Sequence, residues 1–311
     1  MVDVIIFAAS IIASGIRLST PVIFAALGET IVERSGVLNL GIEGMMLMGA
    51  FGGFIGTFFT GSIFVGLLFA VSGPILMAIL MAFLSVNLRT NQVVAGLAIW
   101  LLGTGLTALA YRLIFGIVTI SPKINEISTI GVPILGQIPV IGSILFSYDP
   151  LVYLAFVLIP LVHILLFKTN LGLEIRTVGE NPRQADASGV NVYRIRYLAL
   201  VIGGALAGLG GSCFTLVATG SFFENITAGQ GWIAIAMVIF GRWKPFYAAF
   251  GALIFGMVDS FQIGLQSTGT AIPSQFLLML PYILPIIIMA GMYRRSYAPA
   301  ALAVPYRRGE R

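Results

Sequence analysis

Asn39 and Glu43 stand four residues apart near the start of the chain, and Asp259, Gln262 and Gln266 recur at i, i+3 and i+7 near its end. On helices, each set would share one face. An amide side chain is donor and acceptor in one group, which suits the hydroxyls and ring nitrogens of a small polar solute. A carboxylate inside an apolar run is costly against lipid. It must face protein or a water-filled path, where it could also exchange a proton or cation. Lining a path and fixing helix packing as a buried polar group are both open to these residues. Trp100, Phe222 and Trp232 offer rings on which a planar group could stack.

A second stretch reads Gly179-Glu180-Asn181-Pro182-Arg183-Gln184-Ala185-Asp186-Ala187-Ser188-Gly189-Val190. Asn181 suits an N-cap, and Pro182 suits the first helical position, where its missing N–H would be unpaired anyway. Gly189 suits a left-handed C-terminal cap. The two turns between them are too short to hold alone in water. The expected element is a capped surface helix that leans on neighbouring structure or docks on a partner.

Catalytic chemistry has little raw material. There is one histidine, His163, and one cysteine, Cys213. No internal disulfide can form, and metal clusters and histidine-based dyads lack ligands. Both residues lie in apolar runs and are expected to pack. A phosphate-binding P-loop needs Gly-Lys-Ser or Gly-Lys-Thr. Lys123, Lys168 and Lys244 follow Pro, Phe and Trp instead. The chain is therefore not expected to be an enzyme or to need a cofactor.

The elements that must position these residues follow from composition. Of 311 residues, 58% are hydrophobic and only 9% are charged, against about 25% charged in soluble domains. Seventeen basic and twelve acidic side chains cannot clothe a water-soluble body of this size. The expectation is all-α: one polytopic helical bundle over 1–311 with about eight to ten membrane helices, some short or broken. A spanning helix needs about 20 apolar residues. Long runs cover 37–60, 63–86, 92–111, 151–167, 197–218, 245–265 and 272–293, and shorter pieces cover 4–16, 20–32 and 231–240. Asp3 stands where a secretory signal would carry positive charge, so the first segment is read as retained. Within 33–50, Gly36 permits a sharp break between two helices.

Basic residues set the orientation. Arg89, the segment 168–196, the pair Arg242 and Lys244, and the tail 294–311 hold most of them, and two spans separate each group from the next. All four then face the cytoplasm, with the C-terminus. The connection 117–150 falls outside, and its length suggests a structured external loop. This bias accounts for the net charge of +5 without nucleic acid.

The runs "ERSGVLNLGIEGMMLMGAF" and "GENPRQADASGVNVYRIR", with "GGALAGLGGSCFTLVATGSF" and "GWIAIAMVIFGRWKPFYAAFGALIFG", resemble the permease subunits of ATP-binding-cassette importers for simple sugars, nucleosides and branched-chain amino acids. The resemblance covers nearly the whole chain. It is closest to the shorter permease of nucleoside, guanosine-type, uptake systems. It implies a bacterial plasma-membrane protein paired with a homologous second permease. A cytoplasmic ATPase would bind below, and an external lipoprotein would deliver solute. It implies that Glu180, Asn181, Pro182, Arg183, Asp186 and Gly189 form the ATPase-coupling segment. Asn39, Glu43, Asp259, Gln262 and Gln266 remain candidates for the pathway. A permease for a simple sugar and an ion-coupled secondary transporter are the alternatives.

Overall fold

Residues 2–34 form a single 33-residue helix, α1 (Val2–Arg34). It merges the two short pieces expected at 4–16 and 20–32. Arg17 and the hydroxyls around it interrupt the apolar run but not the helix. The computed structural model describes residues 2–118, 121–131, 147–267, 273–291 and 298–308. Pro21 removes one backbone donor inside α1. The helix persists because nearly every side chain from Val22 to Val32 is buried.

Gly36, at φ +84°, ends this first helix. A left-handed turn there costs glycine nothing. Residues 37–41 then run back beside α1, and the Asn39 N–H donates to Glu29 Oε1 at 3.1 Å. Consequently α2 (Ile42–Thr60) starts partway along the bundle. Next come α3 (Ile63–Ala82), which ends in a π-helical turn (Phe83–Asn87), and α4 (Gln92–Phe115). Trp100, which packs on Gly44, is eight residues into α4, so α2 begins about 12 Å from the end of the bundle.

After α4, strands β1 (Ile130–Gly131) and β2 (Ser147–Tyr148) pair antiparallel, Ile130 opposite Tyr148. They lie within the connection expected to be a structured loop. Backbone bonds from Ile124 to Gly220 O (2.8 Å) and from Ile127 to Leu216 O (2.7 Å) fasten its first half to the bundle. Two helices, α5 (Pro150–Lys168) and α6 (Asn170–Glu180), lead to the short α7 (Pro182–Ala187). The next helix, α8 (Val192–Cys213), runs into a second π-helical turn (Phe214–Thr219). Half-length α9 (Gln230–Phe240), α10 (Pro245–Ser267) and α11 (Ser274–Gly291) complete the set.

Among the described residues, seven helices are long and apolar enough to cross a membrane, and two apolar helices, Gln230–Phe240 and Ser274–Ile283, are shorter. Lipid gives apolar helices no reason to leave it for one another, so close packing and interhelical hydrogen bonds hold the bundle. Helix α8 sits at its centre, against α1, α2 and α3. A Cβ at Gly211 would collide with the Met46 carbonyl of α2, and one at Gly208 with the Ala70 carbonyl of α3. The Thr215 hydroxyl donates to Ala50 O at 3.0 Å, and that of Ser260 to Ile11 O at 2.8 Å.

The basic segments gather at one end. Arg34 donates to the carbonyls of Trp243 (2.9 Å) and Arg242 (3.5 Å). Arg89 donates to Tyr193 Oη at 3.4 Å, and Tyr197 Oη donates to Asn87 Oδ1 at 2.6 Å. Arg308 pairs with Asp186 at 3.0 Å. The described parts of the connection from α4 to α5, residues 121–131 and 147–149, lie at the opposite end.

Candidate functional site

Helix α9 spans 11 residues, or about 16 Å, so it crosses only part of the bundle. The chain passes Gly220 (φ +59°), turns inward through 221–229, and begins α9 at mid-depth. Glu43 meets it there. Its Oε1 accepts from the Thr227 hydroxyl (2.6 Å) and the Gly229 N–H (2.8 Å), and Oε2 accepts from the Gly231 N–H (2.7 Å). Glu43 also lies in the first turn of its own helix, α2. Two helix N-termini, each a concentration of positive dipole, therefore converge on one carboxylate. That is why an acid only 1% exposed is held there by neutral groups.

Asn39 is not on the Glu43 helix. It precedes α2, and its Oδ1 accepts from the Gly41 N–H at 3.2 Å while its Nδ2 lies 3.6 Å from Met45 Sδ. The four-residue spacing suggested a shared face, but Gly36 turns the chain and helix resumes only at Ile42. Asn39 is buried beside Glu29.

A cleft of about 960 Å³ opens between α1, α5, α8, α9 and α10 at the end opposite the basic segments. Ser10, Ser14, Arg17, Thr20, Asp149, Gln230, Ser260 and Ser267 give it polar walls, and Ile11, Val152, Phe214 and Val217 give it apolar ones. Asp149 caps α5 through Oδ1, leaving Oδ2 without a hydrogen-bond partner, and Gln230 Oε1 also has none. Arg17 donates to Ser147 O at 3.0 Å and lies over the Tyr148 ring at 5.6 Å. Burial pushes the Tyr148 hydroxyl up to about 12 against the opposing pull of Arg17; the phenol therefore stays neutral. Such a cleft can hold an uncharged polar solute by hydrogen bonds while its apolar walls exclude water.

Asp259, Gln262 and Gln266 fall on α10 but not on the wall of this cleft, which takes Ser260, Ile263, Gly264 and Ser267. Gln262 is buried, Asp259 half-buried and Gln266 exposed. Of the three candidate rings, Phe222 is buried among Phe51, Phe54 and Tyr111. Trp100 and Trp232 form an edge-to-face pair at 4.8 Å. His163 packs on Phe167 and Phe246, and Cys213 bonds to Leu209 O.

The capped helix α7 follows its sequence signature. Asn181 Oδ1 accepts from the Gln184 N–H at 3.1 Å, Pro182 opens the helix, and Gly189 has φ +88°. Glu180, Arg183 and Gln184 are exposed, and Asp186 is half-buried.

Sequence reasoning missed the acids behind this end. Glu29 and Glu33 are buried one turn apart on α1. Glu33 Oε2 accepts from Trp243 Nε1. Arg242 and Trp243 are both left-handed, at φ +50° and +55°, and Arg34 holds this strained pair through their carbonyls. Of the two, Glu29 carries the signal that could have found it, an acid inside the apolar piece 20–32.

A model of the branched-chain amino acid transport system permease component family matches residues 11–289. The chain is 37% identical to the guanosine ABC transporter permease protein NupQ of Bacillus subtilis, across 99% of this chain and 100% of that one. It is 38% identical to the nucleoside ABC transporter permease protein NupC of Lactococcus lactis subsp. cremoris, across 95% and 96%. It is 40% identical to TsgC13 of Haloferax volcanii, whose name associates it with a glucose ABC transporter, across 86% and 80%. Among solved structures, a chain of a metal-chelate type ABC transporter in an inward-facing conformation superposes with a TM-score of 0.53 at 17% identity, over 91% of this chain and 85% of that chain. That likeness concerns the fold alone.

Proposed function

The chain belongs to the branched-chain amino acid transport system permease component family, and from that premise we propose that it forms part of the path by which an ABC importer admits a nucleoside. It is a multi-pass membrane permease. The observation that carries the nucleoside reading is similarity at 37–38% identity to guanosine and nucleoside permeases over nearly the full length. The cleft suits it, because its lining includes the hydroxyls of Ser14, Thr20 and Ser267 and the amide of Gln230, groups that exchange hydrogen bonds with the hydroxyl and amino groups of such a solute. The 40% identity to TsgC13 favours a simple sugar as the second reading.

In this proposal the basic end faces the cytoplasm of a bacterial cell, in line with the positive-inside bias. Glu180, Asn181, Pro182, Arg183, Asp186 and Gly189 present α7 to a separate ATPase. A homologous permease stands beside this one, and an external lipoprotein delivers solute. Asn39 and Glu43 hold the mid-depth junction, and Asp259, Gln262 and Gln266 form a stripe of α10 next to the cleft.

The test is uptake by the complete transporter in vesicles. Radiolabelled guanosine should accumulate, excess unlabelled nucleoside should compete, and glucose should not. Depleting ATP while preserving the ion gradients should stop uptake. Continued uptake would turn the proposal to an ion-coupled carrier, and competition by glucose alone would turn it to a sugar.

A further inference from the structure

The family model ends at residue 289, yet residues 298–308 make a dense set of contacts with the coupling segment. The Ala301 N–H donates to Gly179 O at 2.9 Å and the Ala303 N–H to Gly36 O at 3.2 Å. The Ala300 N–H donates to Glu180 Oε2 at 3.3 Å. Arg196, only 1% exposed, donates to Val304 O at 3.3 Å. Tyr306 is buried against Tyr193, ring centres 6.1 Å apart. Arg308 Nε reaches Asp186 Oδ2, on α7, at 3.0 Å. The tail thus joins three elements: the turn between α1 and α2, the α6–α7 segment, and the base of α8.

A six-residue helix has little stability of its own, and α7 buries only Ala185. Its orientation must be imposed from outside. From the membrane side it is held by its two ends and by the single methyl group of Ala185, which packs into the core. The tail adds a polar attachment, on the side chain of Asp186, and the strand of backbone leading to it is pinned at Gly179 and Gly36.

We propose that the C-terminal tail is a strap that orients the coupling helix and contributes to the surface the ATPase meets, with Arg308 as a positioning residue acting through Asp186. The inference rests on the docking role proposed for α7. The strap makes the α1–α2 turn and α7 move as one body, so force applied at α7 reaches Gly36 as well as the foot of α8.

The test uses the complete transporter, with the tagged permease co-expressed with its companion permease and ATPase. The variants are Arg308→Asp, Asp186→Arg, the two combined, and Arg183→Glu, whose side chain is exposed on α7. The readouts are ATPase recovered with the permease and ATP hydrolysed per solute imported. Each single reversal should lower recovery about fivefold, the scale of one exposed ion pair, and raise the ATP cost of import. The double reversal should restore both to within twofold of the native protein. A merely direct contact of Asp186 with the ATPase would not be rescued in this way. If Arg183→Glu lowers recovery while Arg308→Asp changes nothing, the strap is wrong and the docking role stands. If the double variant is no better than the worse single one, the strap is again wrong. If Arg183→Glu leaves recovery intact, the docking role fails and the strap falls with it.

Discussion

Glu43 and Gly231 lie 188 residues apart and are joined by a 2.7 Å hydrogen bond, the Gly231 N–H donating to Glu43 Oε2. A Cβ at Gly231 would stand 2.7 Å from Glu43 Cα, so the two backbones are in contact as well. This junction allows a half-length helix to start in the middle of an apolar bundle. The N-terminal donors of α9 would otherwise be orphaned away from water, at a cost of about 1–3 kcal/mol each. Glu43 satisfies Gly229 and Gly231 together and takes the Thr227 hydroxyl besides.

Glu43→Gln replaces one acceptor with an NH₂ group that faces donors. Hydrogen bonds to a charged group contribute about 1.5–3 kcal/mol each, so the folded permease should lose about 3 kcal/mol. A lower thermal midpoint in detergent and a smaller monodisperse yield should appear before any change in uptake per folded molecule. Normal stability with altered uptake would instead make Glu43 a group that the solute meets.

Asn181→Ala should fray α7 while leaving membrane insertion intact. Loss of an N-cap costs about 1 kcal/mol, or about fivefold in the population of docking-competent helix. ATPase recovery and uptake should fall together by that factor. Asn181→Asp keeps the cap oxygen and should keep both near native. Pull-down and uptake on the same membranes check it.

The parts of this fold that could be read in the sequence are those whose causes are local. Asn181, Pro182 and Gly189 announce the ends of α7 because capping is settled within a few residues. The short apolar run at 231–240 likewise marks the half-helix α9. What escaped depends on partners far along the chain. Asn39 and Glu43 seemed to share a helix because the break expected at Gly36 does not say how far the chain runs before helix resumes, and it resumes only at Ile42. The continuity of α1 escaped because Arg17 looks like an interruption until Ser147 and Tyr148 appear beside it. Glu29 and Glu33 are tolerable inside the bundle only through Asn39, ten residues away, and Trp243, 210 residues away. The cleft was invisible for the same reason: its walls come from five helices and the loop before α5.

Gly211→Ala should be among the more damaging single-methyl additions. The new Cβ would overlap the Met46 carbonyl, and neither backbone can yield without moving α2 or α8. Overpacking of this kind costs about 1–3 kcal/mol. Gly105→Ala on α4, where nothing lies within 4 Å, is the control and should leave the thermal midpoint unchanged or slightly higher. Equal midpoints for the two variants would mean that α2 and α8 do not pack through this contact.

Filling the cleft tests whether solute passes through it. Ser14 on α1 lines the cleft and is exposed, so Ser14→Trp can place an indole in the opening without displacing a buried side chain. Leu109→Trp, on a part of α4 that is 56% exposed and outside the cleft, controls for added bulk. Both variants should insert, show native thermal midpoints and recover the ATPase in full, because the cleft lies at the end away from α7. Only Ser14→Trp should reduce uptake, by at least about tenfold, since a blocked path removes turnover rather than a fraction of binding energy. Uptake equal to that of the Leu109 variant would move the path to another face of the permease. Asp259→Asn, Gln262→Ala and Gln266→Ala would then be the next substitutions to measure, because their stripe of α10 lies beside the cleft wall and not on it.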